Sequence, residues 1–262
     1  MTTLSVSVQL DYAMREAGTV LLQVGAADTA GQTVLDARLQ IAPRPHCRTV
    51  AAHGGLGERS WFQADDRFVV TYDATVRVER APCLLAELAA DPLASLPAET
   101  IEYLLPSRYC PVDTMHSVAA EMFGDLAGGN AVAAVAEWIS THLAYVPGAS
   151  HGGTTALDTF HARAGVCRDY AHLLIAVVRG LGIPARMASA YAPGVTPQDF
   201  HAVAQVWLAG AWHIVDATGM AAPGDTAIIG VGRDAADIAF LTIFGTATMN
   251  AQNVDVRVAE PA

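Results

Sequence analysis

The sequence has no Cys-x-x-Cys pair, no basic cluster and no apolar run long enough to span a bilayer, and each absence removes a class of function. Its four cysteines, Cys47, Cys83, Cys110 and Cys167, lie far apart. That spacing supports neither a zinc ribbon nor a dithiol redox motif, so no metal and no organic cofactor is expected. Cys47, Cys83 and Cys110 read as reduced, ordinary small apolar residues, which proteins usually bury. Charged residues make up only 16% of the chain, and the net charge is −11. Without a basic run or aromatic–basic interleaving, nucleic acid is not an expected partner. The opening Met1-Thr2-Thr3-Leu4-Ser5 carries no charged leader with an apolar segment behind it. No secretory signal is read there, and the expected compartment is cytoplasmic. Leu173 to Val178 is helix core rather than a membrane segment, so no membrane partner is expected. Internal repeats and low-complexity tracts are absent too.

What is present reads as a folded α+β chain of 262 residues with ample material for a core. Residues 1 to about 80 read as an antiparallel, sandwich-like β region. Leu4, Val6, Val8 and Leu10 alternate, as do Leu35, Ala37, Leu39 and Ile41, and Val70, Tyr72, Ala74, Val76 and Val78. Turn-rich stretches at 28–31 and 53–57 separate them. Residues 81–150 read as a helical connection, broken early by Pro92, Pro97, Pro106 and Pro111. Val132, Val135, Ala136, Ile139 and Leu143 mark its clearest helix face. Residues 151–262 hold a helix, strands at about 185–192, 201–208, 211–217 and 227–231, and a last alternation at Val254, Val256 and Val258. That last strand is free to return to either sheet.

The helix of the third region starts at a cysteine. Tyr170, Leu173, Leu174, Val177, Val178 and Leu181 repeat at the period of one buried helix face, and Gly182 and Pro184 supply the stop. Gly165 offers a backbone able to turn sharply ahead of it. Cys167 therefore falls in the first turn, among unpaired N–H groups at the positive end of the helix dipole. Both features favour thiolate over thiol, and the same N–H groups suit an oxyanion.

A histidine and an aspartate follow on a hairpin. Ala209-Gly210 reads as a tight turn between 201–208 and 211–217, so Leu208 faces Ala211 and Trp207 faces Trp212. In that register Asp216 lies opposite Val203, with His201 its diagonal neighbour on the same face. His213 pairs with Val206 and points to the other face, which makes it a poor general base and undermines a metal site of His201, His213 and Asp216. A register slip of one residue would reverse both statements.

The stretch Gly165-Val166-Cys167-Arg168-Asp169-Tyr170-Ala171-His172, then Leu181-Gly182-Ile183-Pro184-Ala185-Arg186, His201 and Trp212-His213-Ile214-Val215-Asp216-Ala217-Thr218 resembles the bacterial transglutaminase-like cysteine protease family. The resemblance is specific over about residues 150–220. It implies a papain/transglutaminase-like core, with a nucleophile helix packed on an antiparallel sheet, in a bacterial protein. It also implies Cys167 as nucleophile, His201 as general base, Asp216 as orienting carboxylate, and chemistry at an amide or ester carbonyl. Animal transglutaminases place an oxyanion-donating tryptophan upstream of the cysteine. Here the nearest is Trp138, inside a segment that reads as helix, so a second oxyanion donor is unassigned.

The expected activity is amide hydrolysis through a thioester, on a peptide or other amide-containing substrate. Transamidation is the alternative within the same chemistry, and a non-catalytic binding module retaining the fold is the alternative outside it. Other residues have plainer readings. Asp169 suits the helix dipole, His172 is structural, and His151 and His161 belong to a solvated loop. Arg108 reads as a surface ion pair rather than a receptor for a substrate carboxylate, and Tyr191 leads into the 193–197 loop beside the cleft.

Overall fold

The computed structural model describes residues 1–259. Strands β1 (Thr2–Met14), β2 (Gly18–Leu22), β3 (Gln32–Ala42), β4 (Arg48–Ala51), β5 (Glu58–Ala64) and β6 (Arg67–Val78) come first. Helices α1 (Ala98–Ile101), α2 (Val112–Phe123) and α3 (Gly128–His142) follow. The short elements β7 (Ala144–Tyr145), α4 (Ala156–Ala162) and β8 (Ala164–Gly165) lead into α5 (Cys167–Gly180). Next come β9 (Ala185–Tyr191), β10 (His201–Leu208), β11 (Ala211–Val215) and β12 (Ala227–Gly232), then β13 (Leu241–Phe244) and β14 (Ala247–Val258).

Two antiparallel sheets, ordered β14-β1-β6-β3 and β13-β2-β5-β4, enclose one core. Alternation dictates it: Leu4, Val6, Val8 and Leu10 of β1 and Phe68, Val70, Tyr72, Ala74, Val76 and Val78 of β6 are all buried. The last strand returns to this sandwich, pairing with β1 from Leu4↔Val258 to Met14↔Ala247. β3 forms where its alternation predicts, yet Leu35 and Leu39 are exposed. It is an edge strand with no second neighbour, and a period of two reports a strand without reporting what covers it.

The third sheet, β11-β10-β9-β12, carries α5 on one face. The hairpin register is the one read from the sequence, with Leu208↔Ala211, Trp207↔Trp212 and Val206↔His213. Ala209 and Gly210 turn the chain with φ of 50° and 76°. Both values are positive, as a tight two-residue hairpin requires. α5 itself departs from the one-faced helix that its spacing suggests, because every residue from Asp169 to Gly180 is buried. It lies between the sheet and α2, α3 and α4. Ala171, Ala176 and Gly180 allow that crowding: a Cβ on Gly180 would stand 3.0 Å from the Ala119 Cβ.

Candidate active site

Cys167 is half-buried at the first position of α5, with Val166 as N-cap. Two contacts fix that turn. Asp169 Oδ2 accepts the Val166 N–H at 2.9 Å and the Ser150 hydroxyl, and Arg168 reaches Ser150 Oγ at 3.0 Å and the His151 carbonyl at 3.2 Å. Asp169 therefore ties the 146–151 loop to the helix start, a role larger than complementing the dipole. Gly165 matters for space rather than for a special backbone angle. A Cβ there would lie 2.6 Å from the Asp169 Cβ and 2.9 Å from its Oδ2.

His201 opens β10 and is 2% exposed; Asp216 follows the last residue of β11. The His201 Nε2 to Asp216 Oδ2 distance is 2.8 Å, so the imidazole donates from Nε2. Asp216 also accepts from the N–H groups of Thr218 at 2.9 Å, Met220 at 3.1 Å and Ala221 at 2.8 Å, and from the Thr218 hydroxyl at 2.8 Å. One carboxylate thus both caps the 216–221 turn and bonds the imidazole. Burial raises the Asp216 pKa, but these donors outweigh it, the His201 bond foremost, and the net direction is down.

His201 Nδ1 is buried and makes no bond of hydrogen-bonding geometry. The Cys167 thiol nevertheless lies close enough to act on the ring. Burial pushes the imidazole pKa down; the Asp216 hydrogen bond and then Cys167 push it up harder, and it rises to about 9. With Nε2–H committed to Asp216, Nδ1 is the ring nitrogen left to exchange a proton with the thiol.

A fourth side chain joins the site unannounced by the sequence. Tyr145 sits on β7, whose parallel pairing with β8 places it opposite Gly165, two residues before the cysteine. Burial, followed by the charge of Cys167, raises its pKa to about 12, and the Cys167 backbone N–H and thiol both act on its hydroxyl. It is therefore a protonated hydrogen-bond donor at neutral pH. No periodicity could have revealed it, since a two-residue strand has none. Trp138 is elsewhere, stacked between His142 and Phe160 with Arg163 over its ring.

The remaining candidates separate from the site. His213 bonds the Leu208 carbonyl at 3.1 Å and Cys83 Sγ at 3.6 Å. His151 and His161 are exposed. Arg108 is exposed and lies over the Tyr109 ring at 5.2 Å. Tyr191 is fully buried and donates to the Val24 carbonyl at 2.6 Å. Of the three cysteines read as buried, only Cys110 is; Cys47 and Cys83 are exposed. Both lie in connections between elements, where no periodic apolar face draws them inward. Among the described residues, no group of three or more His, Cys, Asp or Glu side chains is arranged to hold a metal. No helix is long and apolar enough to cross a membrane. A cleft of about 1040 Å³ at the open β3–β4 edge of the sandwich touches none of Cys167, His201 and Asp216. Volume alone is thus no guide to the chemistry here.

Residues 116–217, a span containing Cys167, His201 and Asp216, match the transglutaminase-like superfamily. A Cytophaga hutchinsonii protein, whose crystal structure is described as that of a "putative cysteine protease", is 32% identical. Its alignment covers 100% of this chain and 92% of that one, with a TM-score of 0.94. An uncharacterized Mycobacterium leprae protein is 34% identical over 147 residues, and the match spans 53% of each chain, about half of that relative's length. The periplasmic domain of TgpA from Pseudomonas aeruginosa is a remoter likeness, 17% identical with a TM-score of 0.43, covering 83% of this chain and 88% of that one.

Proposed function

Since the chain belongs to the transglutaminase-like superfamily, we propose that it is a cysteine-nucleophile amide hydrolase working through a thioester on Cys167. The carrying observation is the state of His201: Nε2 is bonded to Asp216 at 2.8 Å, and Nδ1 is left unpartnered beside the thiol. His201 Nδ1 takes the thiol proton, and Asp216 holds the tautomer and stabilises the imidazolium. The thiolate attacks an amide carbonyl. The Cys167 N–H and the Tyr145 hydroxyl, which interact with one another in the free site, are the donors we assign to the oxyanion. His201 returns its proton to the leaving amine, and water, deprotonated by the same nitrogen, then cleaves the thioester.

The test incubates the protein with a panel of peptide amides and glutaminyl peptides and follows amine release and acyl adducts by mass spectrometry. A Cys167 adduct is expected in wild type. Cys167→Ala should abolish turnover, and His201→Ala should lower it by roughly 10²–10⁴, the usual range for a general base. Turnover that survives all three of Cys167→Ala, His201→Ala and Asp216→Ala overturns the reading. Added hydroxylamine reports how the thioester divides between water and amine.

A further inference from the structure

The segment ahead of His201 does not hang free; it is fastened to the sandwich residue by residue. β14 is an edge strand, paired with β1 on one side only. On its open side the Val256 N–H donates to Gln198 Oε1 at 2.9 Å, and Gln198 Nε2 donates to the Val256 carbonyl at 3.4 Å and to the Pro193 carbonyl at 2.9 Å. A primary amide presents a donor and an acceptor side by side, as a peptide group does. Gln198 therefore stands in for one residue of a neighbouring strand. The next residue, Asp199, accepts from Gln252 Nε2 of the same strand at 2.6 Å. The one after, Phe200, stacks on Phe240 with centroids 4.2 Å apart and planes within 7°, and tilts against Tyr191 at 5.6 Å. These rings belong to the sandwich core or pack on it. Three successive residues are thus bound to the sandwich, and the fourth is His201.

The other end of the segment touches the turn that holds the carboxylate. Gly194 lies so close to the Met220 carbonyl that a Cβ there would stand 2.4 Å from it, and Met220 N–H donates to Asp216. Between these contacts the loop has little choice of position.

We infer that the sandwich is a positioning element for the active site, and that Gln198 and Gln252 are positioning residues fixing the loop that presents His201 to Cys167. The inference rests on His201 acting as the base. A misplacement of about 1 Å can cost on the order of 10²-fold in rate, so a clamp of a few hydrogen bonds on the preceding residues is enough to matter.

The experiment uses the full chain with Gln198→Ala and Gln252→Ala combined, and reads the His201 imidazole by NMR titration alongside the pH profile of Cys167 alkylation. Both glutamines are only half-buried, so the fold should hold. The expected result is a His201 pKa falling from about 9 toward the unperturbed value of about 6.5. Cys167 alkylation near neutral pH should fall at least about ten-fold. Gln198→Leu alone should give a smaller shift in the same direction, and it carries the test should the double variant lose its fold. A folded variant whose His201 titrates as in wild type overturns the inference. Failure of the functional reading looks different: with both glutamines retained, His201→Ala would leave alkylation of Cys167 unchanged.

Discussion

Two sets of cysteine, histidine and aspartate share the α5 region of this protein, and only one pairs its imidazole with its carboxylate. In the candidate site, His201 Nε2 donates to Asp216, which leaves Nδ1 as the nitrogen able to exchange a proton with a half-buried thiol. In the second set, His172 Nε2 accepts the Ala235 N–H at 3.1 Å, so the proton sits on a buried Nδ1 that has no partner. Asp234 is bonded to the N–H groups of Tyr109 and Ala236 at 2.9 Å rather than to the imidazole. Cys110 points at the His172 carbonyl at 3.6 Å. Burial holds its thiol at a pKa of about 12 despite nearby Arg179. The same three residue types give an imidazole–carboxylate pair in one place and packing in the other. What differs is which ring nitrogen carries the proton and whether the sulfur meets solvent.

The sharpest way to break that contrast is competitive alkylation with mass-spectrometric readout at each cysteine. Cys167 should be labelled fastest of the four near neutral pH, and Cys110 should stay unmodified in the folded protein. Exposed Cys47 and Cys83 serve as internal references. His201→Ala should cut Cys167 labelling near neutral pH by roughly 10²-fold or more and leave the other three unchanged. Labelling of Cys110 at the rate of Cys167 would mean that the two sets are not distinguished by environment at all.

The two histidines also predict opposite limbs in stability against pH. His201 has a folded pKa of about 9, above the unfolded 6.5. Its contribution is complete below about pH 6.5 and is lost as pH rises toward 9. For His172, burial outweighs the charges of Asp234 and Asp169, and the pKa falls to about 4. Its contribution is complete above about pH 6.5 and is lost as pH drops toward 4. Each limb involves one proton, so its slope is at most about 1.4 kcal/mol per pH unit. Denaturant midpoints across that range should show His201→Ala flattening only the alkaline limb. His172→Leu should flatten only the acid one, and should cost about 1–3 kcal/mol throughout by stranding the Ala235 N–H.

The sequence made one set legible and the other nearly invisible. Cys167, His201 and Asp216 lie on or beside elements whose periods and turn fix their faces, and the Leu208↔Ala211 register is enough to bring His201 to Asp216. Tyr145 and Thr218 escaped because a two-residue strand and a post-strand turn have no period to read. Cys110 was readable as buried, but its company was not, because Ala235 and Asp234 come from a turn more than a hundred residues away. β3 shows the converse: its alternation was plain, yet burial depends on a second sheet that does not extend over it.

The mildest test bears on why Asp216 meets its histidine where Asp234 does not. Three backbone N–H groups hold Asp216, and the Thr218 hydroxyl adds a fourth donor at 2.8 Å. Thr218→Val keeps the shape and removes only the hydroxyl. The backbone donors should keep the carboxylate ionised and aimed at His201, at a loss of about 1 kcal/mol, or roughly five-fold in Cys167 alkylation. An effect as large as that of Asp216→Ala would show that the hydroxyl, rather than the backbone turn, aims the carboxylate. The difference between the two sets would then reside in one side chain and not in the fold of the 216–221 turn.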